Sequence, residues 1–182
     1  MVPVALDPAA MAMAVAGRGH VALRRFRALR AGGAKELLLF SDQPDTLEAA
    51  PTETLRRVLP SQPDMAALQV LWIAGLPLDT AAALAALARA ERVLVNVEDR
   101  PELCDFHSVA EVRRGDLLLT VSTGGASPGL SARVRARLAT EFGPEWGERL
   151  ALLRERRTAW RRQGRDVGAE TDALLQASGW LA

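Results

Sequence analysis

Four apolar runs, Met11–Ala16, Leu37–Phe40, Val70–Ala74 and Val93–Val97, constrain this chain more than any other feature. Polar residues scarcely interrupt them, so they do not fit a sheet with one wet face. Runs of this kind are strands of a parallel sheet covered on both sides. Helical patterns lie between them. Val21, Ala22, Phe26 and Leu29 share one face with arginines opposite, and the pattern stops at Gly32-Gly33, as helices often do. Ala81 to Ala90 is rich in alanine and leucine, the strongest helix formers. The segment Gln43 to Asp64 is polar and punctuated by proline; it predicts a weak helix and an edge strand over Leu55 to Leu59. Strand, helix, strand, loop, strand, helix, strand is the order of a doubly wound α/β sheet.

The texture changes from about Val109. One strand, Leu117 to Val121, leads to a helix from Ser127 to about Phe142. From Pro144 onward a helical period runs through Trp146, Leu150, Leu153 and Trp160. A break at Gly164 to Gly168 precedes a short last helix, Glu170 to Gln176. The expected division is 1–108, 109–143 and 144–182. The last part is too thin to bury a core alone, so a second copy of the chain is expected to cover it.

The net charge of +1 gives no global field toward nucleic acid or an anionic membrane. Lys35 is the only lysine among 23 basic residues, and arginine is the better fork for carboxylates. Cys104 has no partner for an intrachain disulfide, which fits a reducing compartment. No basic residue precedes Arg18, so the apolar start lacks the shape of a secretory signal. No run reaches the ~18 apolar residues of a membrane span. The expectation is a soluble cytoplasmic protein.

Three loops carry chemistry. Gly17-Arg18-Gly19-His20-Val21-Ala22 reads G-x-G-x-x-A between a strand and a helix, the context of a dinucleotide fingerprint. Its first glycine makes the turn, its second lets a pyrophosphate approach, and the helix start offers amides. Arg18 either reaches a phosphate or points to water; His20 either binds phosphate or faces solvent. Asp42 follows at about the spacing of the acid that accepts from ribose hydroxyls and favours NAD. Glu98, Asp99, Glu102 and Asp105 follow the fourth apolar run, where open α/β sheets bind ligands. A carboxylate at Asp99 serves as general base or binds a metal, with His107 as its candidate partner; Glu98 and Glu102 read as a solvated loop. Ser122-Thr123-Gly124-Gly125-Ala126-Ser127-Pro128 offers hydroxyls, backbone amides and a helix start, an anion nest. Arg133 and Arg137 share a face of the next helix, and with Arg113 and Arg114 they suit a ligand bearing several carboxylates.

On Gly17 to Arg24, on Asn96-Val97-Glu98-Asp99-Arg100-Pro101-Glu102-Leu103-Cys104-Asp105-Phe106, and on Ser122 to Pro128, the chain resembles the precorrin-2 dehydrogenase family. That family forms the N-terminal part of siroheme synthase and also occurs as stand-alone enzymes; some members are sirohydrochlorin ferrochelatases too. The resemblance runs from about Pro3 to Arg157. It implies a Rossmann-like domain, a small dimerisation region and a helical C-terminal segment, assembled as an entwined homodimer. It implies NAD-dependent oxidation of precorrin-2 to sirohydrochlorin, on the way to siroheme or cobalamin. Asp99 matches the family's essential aspartate. Gly17, Arg18, Gly19, His20 and Val21 match its cofactor loop, and Ser41 and Asp42 the end of its second strand. Thr123 matches its substrate-side serine/threonine position, phosphorylated in some members; Ser122, Gly124, Gly125 and Ser127 of the same loop, with Arg133 and Arg137, are the further candidates for binding substrate. Ferrous iron or cobalt enters only as a chelatase substrate, with Asp99 and His107 at hand. A separate uroporphyrinogen methyltransferase would supply the substrate. Two departures stand out: Arg18 replaces the middle of three glycines, and Ala74-Gly75-Leu76 replaces Ala-Thr-Asp. A non-catalytic tetrapyrrole- or nucleotide-binding relative is the rival reading.

Overall fold

A computed structural model describes residues 2–47 and 51–181 of the chain. The middle of the proline-punctuated segment, 48–50, lies outside the described residues. The chain divides into two units, 1–108 and 109–182.

The apolar runs become the strands of the first unit. They are β1 (Met13–Gly17), β2 (Leu37–Phe40), β4 (Val70–Ala74) and β5 (Leu94–Val97), and the polar segment adds a short edge strand, β3 (Leu55–Arg56). All pair in parallel, in the order β3-β2-β1-β4-β5. Every residue of β1 and β4 is buried, as the unbroken hydropathy requires. Side chains alternate between faces. Met13, Val15, Leu37, Leu39, Val70 and Trp72 pack with Ala22, Leu23 and Phe26 of α1 (Gly19–Ala31). Ala14, Ala16, Leu71, Ile73, Val95 and Val97 pack on the opposite face. Met65 of α2 (Gln62–Ala66) and Ala81, Leu84, Ala85 and Ala88 of α3 (Leu78–Ala90) cover them. The two layers of helix confirm the doubly wound α/β, Rossmann-like fold.

The strand order reverses at β1, between β2 on one side and β4 on the other. The crevice at the carboxyl ends of β1 and β4 is therefore the topological switch point where ligands bind in such sheets. The edge strand is shorter than the Leu55 to Leu59 expected, because only Leu39 and Phe40 of β2 remain to pair with it. The weak helix expected within Gln43 to Asp64 stands at the end of that segment as α2 and runs on to Ala66. Asp64 accepts from both the backbone N–H (2.8 Å) and the hydroxyl (2.6 Å) of Ser61 at its start.

The second unit opens on a hairpin rather than one strand. β6 (Ala110–Arg114) pairs antiparallel with β7 (Leu117–Val121) across the turn Gly115-Asp116, with Gly115 at φ +56°. A two-residue Gly-Asp loop is a hairpin signal, yet charges in Ala110–Arg114 hid the first strand. Three helices follow: α4 (Pro128–Glu141), α5 (Trp146–Arg162) and α6 (Val167–Ser178). α6 is longer than Glu170 to Gln176, because Asp166 caps it by accepting from the amides of Gly168 and Ala169. In this unit only Val112, Trp146 and Trp160 are buried apolar residues among those described. The Arg149 guanidinium lies over the rings of Trp146 and Trp180, at 4.9 and 5.4 Å from their centroids.

Candidate active site

The glycine turn sits at the end of β1. A Cβ on Gly17 would stand 2.0 Å from the Ala74 carbonyl oxygen and 2.8 Å from the Ala22 Cβ. Only glycine lets β1, β4 and α1 meet so closely. Gly19 differs: its φ is +63° and nothing lies within 4 Å of a Cβ placed there. One glycine is enclosed by protein and the next opens outward over a helix start. That cradle fits a dinucleotide pyrophosphate. Gly17, Arg18, Gly19, His20 and Val21 would line it, with the first-turn amides of α1 facing the phosphates.

Arg18 takes neither of the two courses left open for it. Its Nε donates to Asp42 Oδ1 at 2.7 Å and its Nη2 to Oδ2 at 2.5 Å. The guanidinium holds the Asp42 carboxyl below the usual carboxylate range, and Asp42 raises the guanidinium in turn. Asp42 is thus not the free acceptor expected at the end of β2. Ser41 is fully buried there, its hydroxyl accepting from the Gln43 amide at 3.2 Å, so it serves the turn. Thr46 was missed in the sequence. Its hydroxyl accepts from the Gly19 N–H at 2.9 Å and donates to the Gln43 carbonyl at 2.7 Å. Short hydroxyl side chains take up backbone groups in this way, but the loop distance from Gly19 hides it. His20 is exposed.

The two departures in this region belong together. Gly75 has φ +69°, and a Cβ there would stand 2.5 Å from the Arg18 carbonyl oxygen. The Arg18 N–H donates to the Ala74 carbonyl at 3.2 Å. The turn after β4 and the backbone of Arg18 are therefore fitted to each other.

The acidic segment after β5 is mostly fastening. Asn96 is buried and donates to the Phe106 carbonyl at 2.8 Å. The Val97 N–H donates to Cys104 Sγ at 3.2 Å, which makes Cys104 a packing residue and hydrogen-bond partner. Asp105 accepts from the Val95 amide (3.0 Å) and from Arg89 Nε (2.8 Å). Glu98 is not solvated as expected: Arg24 on α1 donates to its Oε1 at 2.9 Å, and its Oε2 is buried without a partner. Beside it, burial pushes the Arg25 guanidinium down, against the opposing charge of Glu98. Of the four carboxylates only Asp99 and Glu102 are exposed and without an ion pair among the described residues. Asp99 has φ +59°, a left-handed conformation uncommon outside glycine and worth about 1–3 kcal/mol of strain where it occurs at a site. The clasps around it fix that turn and present its carboxylate at the carboxyl edge of the sheet. His107 is exposed on the same connection. Among the described residues, no group of three or more His, Cys, Asp and Glu side chains is placed to hold a metal ion.

The serine-glycine loop lies in the second unit. Thr123 is its hub: the hydroxyl donates to the Ser127 carbonyl (3.1 Å), accepts from the Ser127 N–H (3.2 Å) and lies 3.1 Å from Ser131 Oγ. The Gly124 amide donates to Ser122 Oγ, and the Ala126 amide to the Thr123 carbonyl. Ser127 caps α4 by accepting from the Leu130 amide at 3.2 Å. The Gly124 and Ser127 amides expected to form an anion nest are taken up by the loop's own hydroxyls, and the Ala126 amide by the Thr123 carbonyl. Gly124 and Gly125 have φ +63° and +86°, with open space where their Cβ atoms would be. Arg133 and Arg137 are exposed on α4. Arg114 is not available beside them: its Nε and Nη2 donate to the carbonyls of Phe142 and Ala139 at the end of α4, a favourable place for a cation. Arg113 pairs with Glu111.

Residues 4–110 match the family described as putative NAD(P)-binding, and residues 114–141 match the one described as sirohaem biosynthesis protein central. The siroheme synthase of Methylobacillus flagellatus is 34% identical over 148 residues, 80% of this chain and 32% of that protein. That of Methylococcus capsulatus is 47% identical over 78 residues, 41% of this chain and 16% of that protein. The siroheme biosynthesis protein met8 of Schizosaccharomyces pombe is 30% identical over 98 residues, 52% of this chain and 34% of that protein. The chain thus spans about a third or less of the length of these relatives. A solved structure, that of SirC, precorrin-2 dehydrogenase, shares the fold with a TM-score of 0.70 and 23% identity, over 97% of this chain and 88% of that one. With a cradle fitted to a dinucleotide and this match over 4–110, the chain belongs to the putative NAD(P)-binding family, and it is similar to siroheme synthases over the regions given above.

Proposed function

We propose that the protein is an NAD-dependent dehydrogenase that oxidises precorrin-2 to sirohydrochlorin. The observation that carries this reading is Asp99, an exposed carboxylate in the left-handed turn just after β5, one strand of the sheet whose β1 ends at the Gly17 turn. When bound, NAD supplies the hydride acceptor. The cradle would orient the dinucleotide, with the His20 and Val21 amides toward its phosphates and the Arg18–Asp42 pair toward its ribose. Asp99 would take the proton that leaves the macrocycle as hydride departs, so that two hydrogens are lost and the substrate is oxidised. Fixed geometry of this kind supplies much of a hydride-transfer rate.

The second unit is read as the substrate and dimerisation side. Arg133, Arg137 and the hydroxyls of Ser122, Thr123 and Ser127 suit a macrocycle rich in carboxylates. The 109–143 region would pair with a second copy, and 144–182 forms the helical segment. The protein is read as cytoplasmic; among the described residues no helix is long and apolar enough to cross a membrane. A separate uroporphyrinogen methyltransferase would supply the substrate.

The test is anaerobic incubation of purified protein with enzymatically made precorrin-2 and NAD, following sirohydrochlorin absorbance and NADH together. NAD-dependent turnover that falls by about a hundredfold or more in Asp99→Asn supports the reading. Asparagine keeps the shape and tolerates the left-handed backbone, so full activity in that variant would remove Asp99 from the mechanism. Binding of dinucleotide without turnover would favour a non-catalytic relative. Ferrous iron or cobalt added with sirohydrochlorin tests metal insertion by the same carboxylate.

A further inference from the structure

The ribose edge of the dinucleotide site carries both signs of charge. An acidic side chain at the end of the second strand accepts from the ribose hydroxyls and repels a 2′-phosphate, whereas an arginine nearby takes the phosphate. Here Arg18 and Asp42 are joined in one two-pronged pair, at 2.7 and 2.5 Å. The pair carries no net charge, so it does not repel an arriving dianion as a lone carboxylate would. Two of the five guanidinium N–H groups are engaged by Asp42, which leaves three for a ligand. Neither side chain is sealed: they are 24% and 34% exposed. The backbone of Arg18 is held by Ala74 and fitted against Gly75. Its side chain can therefore trade Asp42 for a ligand without moving the glycine turn.

We propose that Arg18 sets the cofactor's 2′ specificity: by neutralising Asp42 it lets the site take the 2′-phosphate of NADP as well as the ribose hydroxyls of NAD. With NAD, Asp42 accepts from the hydroxyls. With NADP, the free N–H groups of Arg18 take the phosphate in charge-assisted hydrogen bonds. The inference rests on the dinucleotide reading above and deepens it.

Calorimetric titration of the full chain with NAD and with NADP tests it without any turnover. In Arg18→Ala the ratio of NADP to NAD affinity is expected to fall about tenfold or more, through weaker NADP binding. In Asp42→Asn the same ratio is expected to rise, because Arg18 is left with an uncompensated positive charge for the phosphate while the acceptor for the ribose hydroxyls is lost. Arg18 has extended backbone at φ −132°, so alanine adds no strain, and Asp42→Asn provides an independent arm should one variant fold poorly. A ratio that moves by less than threefold in both variants overturns the role of Arg18 while leaving the dinucleotide site in place. Failure of the unaltered chain to bind either nucleotide overturns both this inference and the reading beneath it.

Discussion

Single residues at the switch point have separable duties. Gly17 is structural, since its missing Cβ lets the Ala74 carbonyl approach. Gly17→Ala is expected to cost about 1–3 kcal/mol or more through overpacking, read as a lower urea midpoint with an unchanged slope. Gly19 meets no such neighbour, so Gly19→Ala should disturb packing less and act through backbone strain and dinucleotide binding. Thr46→Val removes the acceptor on the Gly19 amide. It should free that donor and change dinucleotide affinity more than stability, which the same calorimetry would read. These roles were unequally legible. The glycine spacing was visible as a motif, but the grip of Arg18 on Asp42 was not. Nothing in a sequence says which of several targets a long side chain will reach.

At the scale of elements, the ends of helices and strands show how the site edge is fixed. α3 stops in a motif where the Arg92 amide donates to Arg89 and the Val93 amide to Ala88, with Arg92 at φ +61°. Glycine is the usual residue at such a position. Arg92→Gly is therefore expected to stabilise the protein by about 1 kcal/mol, measurable by chemical denaturation, and a loss of stability would mean the arginine has a contact worth more than its strain. Past β5 the clasp is Asp105, which ties the Val95 amide to Arg89. Asp105→Ala should cost about 1.5–3 kcal/mol, the range for hydrogen bonds to a charged group. It should also loosen the turn that carries Asp99, so turnover would fall further than stability alone explains. The Asn96–Phe106 segment drew attention in the sequence as an acidic motif. Its structure divides it into residues that hold the loop and Asp99, which the loop presents.

For the whole molecule, the first unit has two apolar layers of its own and the second has few buried side chains. A fragment of residues 1–108 is accordingly expected to fold and to bind dinucleotide, while 109–182 alone is expected to show helix without a cooperative melt. Leu130, Val134 and Leu152 are exposed in the second unit, which supports the homodimer proposal; light scattering on the full chain tests it, and a strictly monomeric mass would remove it. Acid should weaken the first unit. Asp64, held down by hydrogen bonds from Ser61, and Asp42, held down by Arg18, have folded-state values below their ordinary one. Their stabilisation is complete above the ordinary value of about 3.9 and is lost as pH falls through the depressed values. Asp64→Asn should flatten that acid limb in pH-dependent unfolding.

The amino-acid order by itself determined the parallel sheet, its two helical layers and the place of the glycine turn. Those follow from local hydropathy, from chain punctuation and from a residue with no Cβ. It also marked Asp99, by its position after a buried strand. What only the tertiary structure decided is which polar groups meet. Arg18 found Asp42 across 24 residues, Arg24 found Glu98 across 74, and Arg114 turned back to the end of α4. Burial of apolar strands is nearly independent of partner and can be read from pattern. Pairing of long charged side chains depends on distances that exist only after the sheet and its helices have packed.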